Sequence, residues 1–286
     1  MKKWIPLAFL VAAAASAGAN DKYWPQWRGP LLTGAAPKGD PPSEWSESKN
    51  VKWKVEVPGQ GSATPVVWED KIFVLTAIPT EKKAPATPAP ASGAPPQRVR
   101  TVKPDAVHQF AVLALSRKDG KVLWQRAVRE EKPHEGTHPT ASFASNSGVT
   151  DGQRVYAFFG SRGVYALDMA GKVLWEKDLG DMTTKMGFGE GSSPALHGDK
   201  LVITWDHEGE SFIVALDAKT GKELWRTPRP ERTSWATPLV VEHGGAAQVI
   251  TSATGKVRAY DLGSGKVLWE TAGMTDNAIP TPVQEG

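Results

Sequence analysis

Short apolar runs separated by turn residues recur along most of this chain, and the pattern predicts strands rather than helices. Four segments end alike: Leu115-Ser-Arg-Lys-Asp-Gly-Lys-Val-Leu-Trp124, Leu167-Asp-Met-Ala-Gly-Lys-Val-Leu-Trp175, Leu216-Asp-Ala-Lys-Thr-Gly-Lys-Glu-Leu-Trp225 and Tyr260-Asp-Leu-Gly-Ser-Gly-Lys-Val-Leu-Trp269. Their tryptophans lie 51, 50 and 44 residues apart. A second landmark, a small residue followed by proline, stands at Thr64-Pro65, Ser193-Pro194, Thr237-Pro238 and Thr281-Pro282, with Ser147-Gly148 in the equivalent place. A fixed period of this length with four strand-like runs predicts one propeller blade per repeat. In the third period the runs cover 193–196, 200–205, 212–216 and 223–227.

Proline donates no ladder hydrogen bond, so the strand at the proline landmark belongs on a sheet edge, here the one lining the central channel. In the Asp-x-x-Thr-Gly-Lys turn, Asp217 can accept from the turn backbone and Gly221 can take a positive φ; Asp261 and Gly265, and Asp168 and Gly171 in a turn one residue shorter, repeat it. The recurring tryptophans Trp124, Trp175, Trp225 and Trp269, together with Trp53 ahead of the first period, are assigned to docking between blades. A ligand-stacking tryptophan would not need five copies.

The expected architecture is therefore all-β: a propeller of four-stranded antiparallel blades over residues 51–286, with about four blades complete. The phase starts with an outer strand at 51–55 and ends with the first strand of a fifth blade, beginning at 278 and running over 279–283. The expectation that follows is a truncated ring of seven or eight blades with one exposed blade face. One period is inflated by a Pro/Ala-rich stretch at 79–107, with seven prolines between 79 and 104, read as an extended loop between the second and third strands of the first blade.

At the amino terminus, Lys2 and Lys3 precede an apolar run over 4–15 and an A-x-A pattern, which predicts a signal peptide over 1–19 cut after Ala17 or Ala19. Residues 20–50 then lead to the ring-closing outer strand. The mature chain has no integral membrane segment in this reading and is periplasmic or secreted.

Composition narrows the chemistry. The 34 basic and 31 acidic residues, net +3, do not supply the concentrated basic field that nucleic-acid binding needs. The absence of cysteine excludes disulfides, thiolate metal sites and cysteine nucleophiles. His134 and His138 stand four apart, but Pro133, Gly136 and Pro139 exclude the helix that would make them a metal pair. Asp206-His207-Glu208 reads as a turn between strands. Gly187-Phe-Gly-Glu-Gly191 lacks the Lys-Ser/Thr of a phosphate loop, and no Gly-x-Ser-x-Gly elbow precedes a helix. No catalytic residue and no metal ligand are assigned.

Trp24-Pro-Gln-Trp27-Arg-Gly29, Ala144-Ser-Asn-Ser-Gly-Val-Thr-Asp-Gly152, Phe159-Gly-Ser161 and the Gly-Lys-x-Leu-Trp units together resemble the pyrroloquinoline-quinone-like (PQQ-like) β-propeller repeat family of exported bacterial proteins. The resemblance covers about residues 24 to 286 and implies complete members of seven or eight blades. It embraces quinoprotein dehydrogenases, an outer-membrane assembly scaffold and members without assigned activity. The dehydrogenases would imply a quinone with Ca²⁺, an adjacent-cysteine disulfide and an Asp base. The cysteines are missing, and no set of carboxylates and Asn matches the calcium site.

The function expected is accordingly non-catalytic binding or scaffolding in the bacterial envelope, with a protein partner or small ligand, no assigned cofactor, and His138, Arg162 and His207 at the channel mouth. The alternatives are a PQQ- and calcium-dependent periplasmic dehydrogenase and a carbohydrate-binding propeller using exposed aromatics such as Trp68 and Trp205.

Overall fold

The computed structural model describes residues 22–36, 38–83, 101–102 and 104–284. The signal peptide predicted over 1–19 and most of the Pro/Ala-rich stretch lie outside the described residues. The chain folds into four four-stranded antiparallel sheets, each in strict sequence order. Blade 1 holds β1 (Val66–Trp68), β2 (Lys71–Lys83), β3 (Ala106–Ser116) and β4 (Val122–Glu131). Blade 2 holds β5 (Val149–Thr150), β6 (Arg154–Phe158), β7 (Val164–Asp168) and β8 (Val173–Lys177). Blade 3 holds β9 (Ala195–His197), β10 (Lys200–Trp205), β11 (Phe212–Asp217) and β12 (Glu223–Pro228). Blade 4 holds β13 (Leu239–His243), β14 (Ala246–Ser252), β15 (Lys256–Asp261) and β16 (Val267–Ala272). Two single 3₁₀ turns, Gly160–Arg162 and Lys185–Gly187, are the only helical segments among the described residues.

The strand patterns explain the order. The two central strands of blades 2 and 3 are covered on both faces and therefore read as nearly continuous apolar runs, such as Phe212-Ile-Val-Ala-Leu216. The outer strands alternate, because one face meets a neighbouring blade while the other is open: β12 alternates half-buried and exposed residues along its whole length. Apolar clusters fill the spaces between blades. One joins Phe73 and Phe110 of blade 1 to Val155 and Leu167 of blade 2, and the next joins Tyr156 and Phe158 to Leu201 and Val214 of blade 3. A third joins Val202 and Ile213 of blade 3 to Val249 and Tyr260 of blade 4.

Three placements differ from the sequence reading. Residues 51–57 and 279–283 form no ladder, since no strand lies beside either segment among the described residues. The stretch assigned to an excursion is shorter at both ends: β2 continues through Pro79 to Lys83, and β3 begins at Ala106. Pro79 sits opposite His108 and Lys83 opposite Ala106, with a register shift between the two pairs. Proline is tolerated there because the irregular ladder asks no amide of it.

Candidate functional site

At the inner ends of the blades, the amide of each proline-landmark residue ties its blade to the next landmark. The Thr64 amide donates to Ser147 Oγ at 2.9 Å, Ser147 N to Ser193 Oγ at 2.9 Å, Ser193 N to Thr237 Oγ1 at 3.0 Å, and Thr237 N to Thr281 Oγ1 at 3.0 Å. A residue earlier in the chain, Asn146 Nδ2 donates to Ser192 O and Ser192 Oγ to Ala236 O. The result is a hydroxyl belt around the axis, with β1, β5, β9 and β13 as the sheet edges beside it.

The rim carries a second belt. Trp53 Nε1 donates to Arg117 O at 3.1 Å, Trp124 to Met169 O at 3.1 Å, Trp175 to Ala218 O at 3.0 Å and Trp225 to Leu262 O at 2.9 Å. Each indole lies on the glycine of the following blade's turn: Gly120, Gly171, Gly221 and Gly265. At Gly221, with φ +71°, a Cβ would stand 2.7 Å from the Trp175 ring, so the glycine serves both the turn and the seam. In those turns Asp168 Oδ1 accepts Ala170 N and Lys172 N, Asp217 Oδ1 accepts Thr220 N, and Asp261 Oδ1 accepts Ser264 N. Hydrogen bonds from Thr220 and Ser264 hold the Asp217 and Asp261 carboxyls below their ordinary value.

Inside the hydroxyl belt lies a groove of about 710 Å³. Its walls come from the loops before β5, β9 and β13, which bring His138, Phe188, Glu190 and Trp235 to it, and from residues 277–281. The amino-terminal segment completes it. Trp24 exchanges backbone hydrogen bonds with Val67 at 3.0 and 2.7 Å, and Pro25 O accepts Thr150 N at 2.9 Å, which carries Trp27 and Arg28 onto the groove. His138 meets Phe188 edge-on at 5.3 Å, Phe188 lies 6.5 Å from Trp235, and Trp235 Nε1 donates to Gly189 O.

Of the three residues placed at the channel mouth from sequence, only His138 lines this groove. Arg162 is buried on Glu131 Oε1 at 2.8 Å and Asp181 Oδ1 at 3.3 Å, and it contacts His134 Nδ1. His207 is buried, with Nδ1 accepting Thr183 N and Nε2 against Glu210 O. Both ring nitrogens of His207 are engaged, and both terminal nitrogens of Arg162 have protein partners. Trp205 is only 2% exposed and stacks on Phe212, while Trp68 packs against Tyr23 and the blade 1 core, so neither is the exposed aromatic platform expected for sugars. Both lie where blade faces are covered.

Two polar features were not read from sequence. Asp206, assigned to an open turn, is fully buried and accepts Arg229 Nε at 2.7 Å and Nη2 at 3.0 Å, while Arg229 Nη1 reaches Thr251 and Tyr260 of blade 4. This bidentate pair pins blade 3 to blade 4. Glu190, within the dismissed glycine-rich segment, accepts Ser161 N at 2.7 Å and Ser161 Oγ at 2.5 Å. Its carboxylate fills the space a Cβ on Gly160 would need, and burial pushes its pKa up against the pull of Ser161 and Arg162. No sequence signal marks Arg229, because the partners come from different blades. For Arg28 the signal was the Trp-Pro-Gln-Trp-Arg-Gly motif, read only as a family mark.

A family model described as outer membrane protein assembly factor BamB matches residues 43–190 and 171–283. The chain belongs to the PQQ-like repeat family. A polyvinylalcohol dehydrogenase from a Pseudomonas species is 26% identical over 269 residues, covering 77% of this chain and 35% of the dehydrogenase. Among solved structures, BamB from Moraxella catarrhalis is 17% identical over 78% of this chain and 55% of its own, with a TM-score of 0.46. Quinohemoprotein alcohol dehydrogenase from Comamonas testosteroni is 15% identical over 79% of this chain and 37% of its own, with a TM-score of 0.48. The chain thus spans about a third of the dehydrogenase relative's length. Among the described residues no helix is long and apolar enough to cross a membrane.

The residues described do not make a quinone–calcium site. Glu190 is the one carboxylate on the groove wall among them, and both its oxygens are engaged by Ser161. No three His, Asp or Glu side chains among the described residues converge as cation ligands, and the chain has no cysteine to lay against a quinone.

Proposed function

We propose that this PQQ-like propeller is a non-catalytic binding module of the bacterial envelope, taking its ligand or the tip of a partner in the axial groove. The observation that carries the reading is how the polar groups around the groove are used. The wall hydroxyls and Glu190 hold blades and loops together, and His138 Nδ1, beside Thr140 Oγ1, is engaged by the Thr140 amide within its own turn. A groove of this size with aromatic walls and few charges suits recognition. Membership in a family whose model is described as an outer membrane assembly factor supports an envelope location and a protein partner.

Titration of the chain with pyrroloquinoline quinone and Ca²⁺, followed by absorbance and by dye-coupled oxidation of polyvinyl alcohol and simple alcohols, tests this. The expected outcome is no quinone-dependent turnover. Stoichiometric quinone binding with turnover would replace the reading by that of an oxidoreductase.

A further inference from the structure

The groove wall offers hydrogen-bond donors and one carboxylate among the described residues. Ser147, Ser193, Thr237 and Thr281 each accept a backbone N–H from the preceding blade, and their own hydroxyl hydrogens have no acceptor among the described residues. Ser147 and Ser193 are buried on this wall, with the groove beside them. At His138, Nδ1 accepts the Thr140 amide at 3.2 Å and lies 2.8 Å from Thr140 Oγ1, which leaves Nε2 as the further donor. Glu190, the one carboxylate there, is turned to Ser161.

Arg28 completes the set. Among the described residues, five arginines are buried or half-buried, and four of them lie on a carboxylate: Arg154 on Asp151, Arg162 on Glu131, Arg229 on Asp206 and Arg258 on Glu231. Arg28 has none. Its guanidinium rests over the Trp27 ring at 4.8 Å and has no carboxylate or hydrogen-bond acceptor among the described residues. A partly desolvated guanidinium beside a row of hydroxyl donors is a receptor for an oxyanion.

We propose that the groove selects a ligand bearing one carboxylate on an apolar body, with Arg28 as the residue that sets this specificity. One guanidinium neutralises one carboxylate, and a polyanion would leave charge unmatched beside Glu190. The apolar part of the ligand faces Phe188, Trp235 and Trp27. The carboxylate has two chemical sources, a small free acid or the carboxyl terminus of a peptide. The inference rests on reading the groove as a binding site.

The test titrates the full chain with phenylacetate and its neutral isostere phenylacetamide, following the indole N–H resonances of Trp27 and Trp235. Acetyl-Ala-Ala-Phe with a free or amidated carboxyl terminus forms a second pair. The expected result is an acid preference of about tenfold over the amide in at least one pair, reduced to parity in Arg28→Gln and partly kept in Arg28→Lys, with unchanged thermal melts. A larger preference in the first pair assigns the small acid, and in the second the peptide end. Equal binding of acid and amide, or an acid preference that survives Arg28→Gln, overturns the anion proposal and leaves the groove reading standing. Absence of any binding to either pair overturns both.

Discussion

Trp225 and Trp269 close equivalent sequence units in consecutive blades, yet they live differently. Trp225 lies on Gly265 of blade 4 and donates to Leu262 O across the seam. Trp269 has no following blade over it among the described residues; it turns to Gln248 of its own sheet and is 41% exposed. The strands that carry them diverge in the same way, since β12 is half-buried at alternate positions and β16 is exposed throughout. The difference between the two positions is the neighbouring blade, since the other copies Trp124 and Trp175 also meet Phe73 and Tyr156 of their own blades. What Trp225 adds over Trp269 is an interface term between repeats.

The widest test of that contrast is truncation at the two positions. Trp225→Ala should cost about 3 kcal/mol in urea denaturation, while Trp269→Ala should cost less than about 1 kcal/mol. Comparable losses would mean that the indole acts within its blade. The glycine side of the seam comes next. Gly221→Ala should cost about 2 kcal/mol, combining a left-handed backbone with a Cβ driven into Trp175. Gly244→Ala, at φ +60° with open space around it, should show only the backbone part of about 1 kcal/mol.

The axial belt allows a finer comparison. Thr237→Val keeps the volume but removes the acceptor for the buried Ser193 amide and should cost about 1 to 2 kcal/mol by thermal melt. Thr281→Val, with a less buried hydroxyl, should cost less. The smallest effect is electrostatic. Folded Asp217 titrates below its ordinary 3.8, so the folded chain binds fewer protons there than the unfolded chain. Its stabilisation is present above pH 3.8 and lost as pH falls below it. Because the carboxylate of this half-buried residue meets solvent, screening limits this to about a few tenths of a kcal/mol. Asp217→Asn should flatten the acid limb of the stability profile by that amount.

How far the sequence could be read follows from the same contrast. The Gly-Lys-x-Leu-Trp unit and the proline landmark were legible because they recur, and recurrence reveals period and blade order without knowledge of any contact. Central-strand burial was harder. Trp205 ends a run that reads apolar throughout, and nothing local says that blades cover both of its faces. The segments at 51–55 and 279–283 carried strand-like alternation but had no partner to make it a ladder. Arg28, Glu190 and Arg229 were opaque for a different reason. Their roles arise where loops from separate repeats meet at the axis or the seam, and composition within one repeat is silent about its neighbours.

The strap at Trp24-Pro-Gln-Trp27-Arg-Gly29 also has a consequence in time. Each blade is built from hairpins whose partners are close in sequence, so blades can form as the chain is made. The strap's anchors, Val67 and Thr150, are distant, and the wall opposite Trp27 and Arg28 joins Pro194 and Ala195 to residues from 237 to 282. The first described residues are therefore among the last to settle. Until residues 237–281 have folded, the seat for Arg28 does not exist, and the groove acquires its cation only when the blades around it are in place.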